Sequence, residues 1–102
     1  MIIDEVICGF GRTGKMFGFE HFNVQPDFIT MAKGITSGYV PLCAVGCTDE
    51  VMEPIAIFNH LHTYGNHPVS CAAGLATIEI LKRDKLIDNS ADLGKYFLEG
   101  LQ

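Results

Sequence analysis

FITMAKGITSGYVPLCAVGC, residues 28–47, is the stretch from which the fold can be read. FITMA is a short run of aromatic and β-branched residues without polar alternation, the pattern of a strand buried on both faces. Lys33-Gly34 ends it, ITSGYVP reads as a loop, and LCAVGC reads as another strand. Upstream, MIIDEVIC at residues 1–8 has the same character and is expected to form a buried strand. GFGRTGKMFGFEHF, residues 9–22, is too rich in glycine and aromatics for a regular helix and reads as a long structured loop. NVQPD, residues 23–27, is a turn in which Pro26 fixes the backbone. Downstream, Thr48 resembles a helix cap, with Asp49 and Glu50 in the first turn and Glu53 behind them. Pro68 suits the first turn of a helix, which continues with Val69, Ala72, Ala73, Ala76 and Ile80 at helical spacing. A second helix is expected from about Asn89 to the end, with Leu93, Phe97, Leu98 and Leu101 along one side.

Three apolar strands followed by helices make an α/β sheet. On its own such a sheet would leave apolar outer edges unpaired, and the chain starts inside a strand. The expectation is therefore a piece of a larger domain.

The 102 residues are 48% hydrophobic and 19% charged, a globular composition that excludes a disordered chain. The net charge of −5 argues against nucleic acid as a partner. No apolar run is long enough for a membrane span, and no secretory leader is visible, so a cytoplasmic location is expected. Cys8, Cys43, Cys47 and Cys71 form no paired metal-ligand motif and are expected to be free, buried thiols. His60, His62 and His67, with His21 elsewhere, lack the spacing and acidic partners of a metal site, so no metal is expected.

Two residues have settings that invite chemistry. Asp4 lies in an apolar run, where a carboxylate needs a partner. A strand-end acid capping a loop accounts for it, and so does an acid placed to hold a protonated heterocyclic nitrogen. Val6, two residues on, would share its strand face and offer a small apolar surface to a flat ring. Lys33 sits between an apolar strand and a glycine, with no acid beside it. Desolvation there would favour the neutral amine that attacks an aldehyde. Lysine with aspartate is also the pair that pyridoxal phosphate (PLP) chemistry requires. Thr63, in a loop before a helix, is either a turn hydroxyl or a phosphate donor. Gly9, Gly11 and Gly14 match G-x-G-x-x-G after a strand, but no helix follows, so a dinucleotide site is rejected.

The run IIDEVICGFGRTGKMFGFEHFNVQPDFITMAKGITSGYVPL, with HTYGNHP before an alanine-rich helix, resembles the class III, fold type I aminotransferases over essentially the whole chain. The resemblance implies part of a large PLP-binding domain in residues 1–88. Residues 89–102 would lead toward a small domain. It implies that Asp4 pairs with the cofactor's ring nitrogen and Val6 packs on the ring. Lys33 would form the imine link and carry protons to and from the substrate carbon. Thr63 would bind the phosphate of a neighbouring subunit in a homodimer. The implied substrates are an amine or ω-amino acid and a keto acid such as pyruvate. Tyr39 in GITSGYVPL is more similar to the ω-amino-acid and amine:pyruvate branch than to the acetylornithine branch. Family members also include decarboxylases and an aminomutase. A truncated, non-catalytic product is a further alternative, because the phosphate loop and the small domain of such enzymes have no counterpart in these 102 residues.

Overall fold

The computed structural model of the chain describes residues 1–55 and 62–102. Its sheet is built from the three apolar runs, trimmed to β1 (Ile2–Asp4), β2 (Phe28–Met31) and β3 (Ala44–Cys47), in spatial order β1-β2-β3. β1 and β2 run parallel, with Ile2 opposite Phe28 and Asp4 opposite Thr30. β3 returns antiparallel to β2, with Phe28 opposite Cys47 and Met31 opposite Ala44. The sheet is thus mixed, within the α/β class that the sequence implies.

A short 3-10 helix, Lys33–Thr36, follows β2 directly. After β3 comes a single turn of helix, α1 (Asp49–Met52). Thr48 holds its N-terminus with extended backbone, but its side chain makes no capping bond. α2 (Pro68–Arg83) begins at Pro68 as expected, because proline's missing N–H costs nothing in a first turn. α3 (Leu86–Leu101) starts three residues before Asn89, after Lys85 in the left-handed region has turned the chain.

Three expectations need correcting. Residues 1–8 do not form one buried strand. β1 stops at Asp4, Ile2 is 71% exposed and Ile7 67% exposed. The chain leaves the sheet because the Val6 N–H turns back to Asp4 Oδ1 at 2.9 Å, a local side-chain bond that competes with the ladder. The packed face of α2 is also different. Val69 and Ile80 are exposed, while Ser70 and Gly74 are buried and Thr77, Ile78 and Leu81 are half-buried. Small residues win that face because α2 lies close against the turn after β2. A Cβ on Gly74 would stand 3.1 Å from Leu42 Cδ2 and 3.5 Å from the Ile35 carbonyl oxygen. Finally, the four thiols are free, but Cys8 and Cys43 are exposed and Cys47 and Cys71 only half-buried.

Little apolar surface is enclosed. Among the described residues Ile35, at 8% exposed, is the one large apolar side chain that is buried. Leu93, Phe97, Leu98 and Leu101 line α3 as expected, yet all four are exposed. The chain exposes 7951 Å², where a compact monomer of its mass would expose about 5,700 Å².

Candidate active site

The parallel pairing of β1 and β2 places Asp4 and Lys33 at the same end of the sheet. Asp4 is the last residue of β1, and Lys33 follows the last residue of β2 by two. Both therefore lie at the carboxyl ends of adjacent parallel strands, where ligands bind in open α/β sheets.

Asp4 is exposed and held on one side only. Its Oδ1 accepts from the Val6 N–H at 2.9 Å and from the Thr30 hydroxyl at 3.2 Å. Oδ2 takes no bond among the described residues, so a charged acceptor faces outward from a fixed carboxylate. Val6 is half-buried, and it sits in the turn after β1 instead of on the strand itself. The shared strand face expected for Asp4 and Val6 does not exist, though the backbone bond still joins the two residues.

Lys33 is exposed, so the burial expected around its amine is absent in this chain. Its backbone is unusual instead. At φ 45° it occupies the left-handed region, which disfavours residues with a Cβ and is found at sites where the surroundings dictate the geometry. Ala32 before it is extended, and the Ile35 N–H bonds back to the Ala32 carbonyl at 3.1 Å. Lys33 thus stands at the tip of a tight reversal. It lines a cleft of about 450 Å³ together with Phe10, Arg12, Ser37 and Leu81. That volume lies in the range of small-molecule sites, although Asp4 and Val6 do not line it. A second cleft of about 430 Å³ lies beyond the opposite ends of the strands, around Asp27, Cys47 and Asp49, and contains none of the candidate residues.

Thr63 is exposed in the turn that precedes α2 and lines neither cleft. Of the histidines, His60 lies outside the described residues. His21 Nε2 is 3.0 Å from the Thr13 carbonyl oxygen. Among the described residues no three His, Cys, Asp or Glu side chains converge.

The glycines of G-x-G-x-x-G have packing roles. Gly11 (φ 92°) and Gly14 (φ 80°) need the positive dihedral that glycine tolerates. Cβ atoms added there would stand 3.3 Å from Ile87 Cγ1 and 2.8 Å from Ala91 Cβ. Ile87 and Ala91 are one turn apart on α3, so the loop seats that helix.

The residue that sequence reasoning missed is Glu5. It is 1% exposed, and its carboxylate accepts from the Gly18 N–H at 3.0 Å and the Phe19 N–H at 2.9 Å. Its own N–H donates to the Thr30 carbonyl at 2.9 Å, continuing the ladder past Asp4. The available signal was a second acid in an apolar run, necessarily on the opposite side from Asp4.

The donor set suits a PLP group: an outward carboxylate oxygen for a ring N–H, a half-buried valine beside it, and a primary amine on a constrained turn. No described helix is long and apolar enough to cross a membrane. Comparison with known proteins agrees with this chemistry. The family model "Aminotransferase class-III" matches residues 1–102. A taurine–pyruvate aminotransferase of Bilophila wadsworthia is 46% identical over 110 residues, covering 100% of this chain and 24% of its own length. An acetylornithine aminotransferase of Archaeoglobus fulgidus is also 46% identical, over 102 residues, covering 100% of this chain and 27% of its own length. Identity therefore does not separate the two branches. The crystal structure of an (S)-enantioselective ω-transaminase from Thermomicrobium roseum superposes with a TM-score of 0.89 at 52% identity, covering 96% of this chain and 23% of that one. The chain spans about a quarter of the length of the curated relatives it matches. With profile, sequence and superposition all agreeing over nearly every residue, the chain belongs to the class III aminotransferase family, on the α/β scaffold of fold type I.

Proposed function

We propose that this chain supplies the cofactor-anchoring segment of a PLP-dependent aminotransferase that moves an amino group from an amine or ω-amino acid to a keto acid such as pyruvate. The observation that carries the reading is the placement of Asp4 and Lys33 at the carboxyl ends of adjacent parallel strands, one offering a free carboxylate oxygen and the other a constrained amine. PLP, when bound, supplies an electron sink for the negative charge that develops at the amine-bearing carbon. Asp4 keeps a proton on the ring nitrogen, and Thr30 and the Val6 N–H hold the carboxylate in orientation. Val6 offers its side chain to the ring. The Lys33 amine would tether the cofactor and would take and return the proton at that carbon as general base and acid.

Thr63 binds phosphate in a partner subunit's site, which accounts for its distance from both clefts and requires a homodimer. The ω-amino-acid preference rests on Tyr39 in GITSGYVPL. The protein acts in the cytoplasm. Residues 1–88 belong to the large domain, and 89–102 lead toward a small domain. The open cleft and the exposed apolar surface favour a second reading for the 102 residues by themselves: a segment that needs further chain to turn over substrate.

The test is covalent trapping. The chain is incubated with PLP, reduced with borohydride and mapped by peptide mass spectrometry, with Lys33→Ala as control. Label concentrated at Lys33 is the expected result. Label spread over Lys15, Lys82, Lys85 and Lys95, unchanged in the control, refutes the assignment.

A further inference from the structure

Glu5 is the most deeply buried ionisable group among the described residues, at 1% exposed, and the chemistry above does not use it. A carboxylate removed from water needs strong partners. Its partners are two successive backbone N–H groups, of Gly18 and Phe19, thirteen and fourteen residues along the chain. Phe17, just before them, donates its own N–H to Glu20 Oε1 at 2.9 Å. The Phe19 ring stacks on Phe17 with centroids 5.8 Å apart, and Phe17 meets Phe10 edge-on at 5.7 Å. Phe10 in turn presses on the lysine turn. A Cβ on Gly34 would stand 3.1 Å from Phe10 Cβ and 3.5 Å from the Gly9 carbonyl oxygen. The Gly9 N–H returns to the Glu5 carbonyl at 2.9 Å, closing the circuit.

Two paths therefore leave Glu5. Its backbone extends the strand that ends in Asp4, and its side chain reaches, through three aromatic rings, the turn that carries Lys33. Resting on the cofactor site assigned above, we propose that Glu5 is a positioning residue, which sets the Lys33 turn relative to Asp4 by clamping the intervening loop. It touches neither substrate nor cofactor. The aromatic rings make this coupling stiff, because close-packed side chains transmit displacement instead of absorbing it.

The test compares the full chain with Glu5→Gln, which keeps the shape and one acceptor, and Glu5→Ala, which keeps neither. Amide hydrogen exchange is followed without cofactor, at urea concentrations that give all three chains equal global stability, so only local opening differs. In Glu5→Ala the Gly18 and Phe19 amides should exchange about tenfold faster, as expected for losing charge-assisted bonds. The Ile35 and Ser37 amides, bonded within the lysine turn, should follow by about threefold. Glu5→Gln should fall between. Faster exchange at Gly18 and Phe19 with Ile35 and Ser37 unchanged would overturn the proposal, leaving Glu5 a loop anchor only. A second readout is the PLP concentration that half-saturates borohydride labelling of Lys33. It should rise about tenfold in Glu5→Ala and less in Glu5→Gln, and an unchanged value overturns the positioning role. A parent chain that is not labelled at Lys33 at all refutes the cofactor reading instead, while the exchange comparison still decides the coupling.

Discussion

Gly14→Ala tests whether the glycine pattern after β1 is a helix seat. At φ 80° an L-residue pays about 1 kcal/mol for its backbone alone. The new methyl would stand 2.8 Å from Ala91 Cβ and 3.0 Å from Ala91 Cα. Neither atom is the far end of a flexible side chain, so α3 or the loop must move, which costs about 1–3 kcal/mol more. The expected loss is about 2–4 kcal/mol. In urea, with a slope of about 1.5–2 kcal/mol per molar, the midpoint would fall by roughly 1–3 M. Gly11→Ala provides the graded comparison. Its φ is 92°, but the nearest obstruction is Ile87 Cγ1 at 3.3 Å, a side-chain atom able to shift, so only about 1–2 kcal/mol is expected. Hydrogen exchange at α3 amides should report the same order. A Gly14→Ala chain within about 0.5 kcal/mol of the parent would refute the packing account of these glycines.

Thr30→Val keeps the branched shape in β2 but deletes the hydroxyl 3.2 Å from Asp4 Oδ1. Stability should change by less than about 1 kcal/mol, while borohydride labelling of Lys33 at limiting PLP declines; equal labelling would show that Thr30 does not orient Asp4. Thr36→Val should cost about 1–2 kcal/mol by urea titration, because the buried hydroxyl donates to the Val40 carbonyl at 2.6 Å and valine leaves that acceptor unmet. Asp84 is held below the usual carboxylate range by the hydrogen bond from Arg83 and, less, by its charge. Its contribution is therefore present above the unfolded carboxylate pKa and lost as pH falls through the lower folded value. Thermal melts of Asp84→Asn should differ from the parent near neutrality and coincide with it in strong acid.

The parts of the fold legible in the sequence are those set by local rules. Pro68 opens α2, the apolar run of β2 pairs, and the glycine-rich 9–22 segment forms no regular helix beyond one 3-10 turn at Gly18–His21. The parts that were not legible depend on what lies alongside. Val6, Ile7 and Cys8 have strand-like side chains, yet a single bond from the Val6 N–H to Asp4 turns the chain away. On α2 the apolar count favoured Val69 and Ile80, whereas the approach to Ile35 and Leu42 selected Ser70 and Gly74, which occupy little space. Asp4 and Lys33 could be singled out as candidates because each looked anomalous in its own neighbourhood, and the family resemblance gave them their roles. Their placement at adjacent strand ends required the parallel register. Glu5 was passed over because its partners lie thirteen and fourteen residues away, a separation that no local pattern encodes.

The excess accessible surface has a thermal counterpart. The heat capacity gained on unfolding scales with the apolar area newly wetted, about 1.2–1.5 kcal/mol/K for a compact chain of this length. This chain hides roughly four-fifths of the area that a compact one would. Its unfolding heat capacity should shrink in proportion, to about 1.0–1.2 kcal/mol/K. The stability curve is then shallower, with a broader and weaker calorimetric transition.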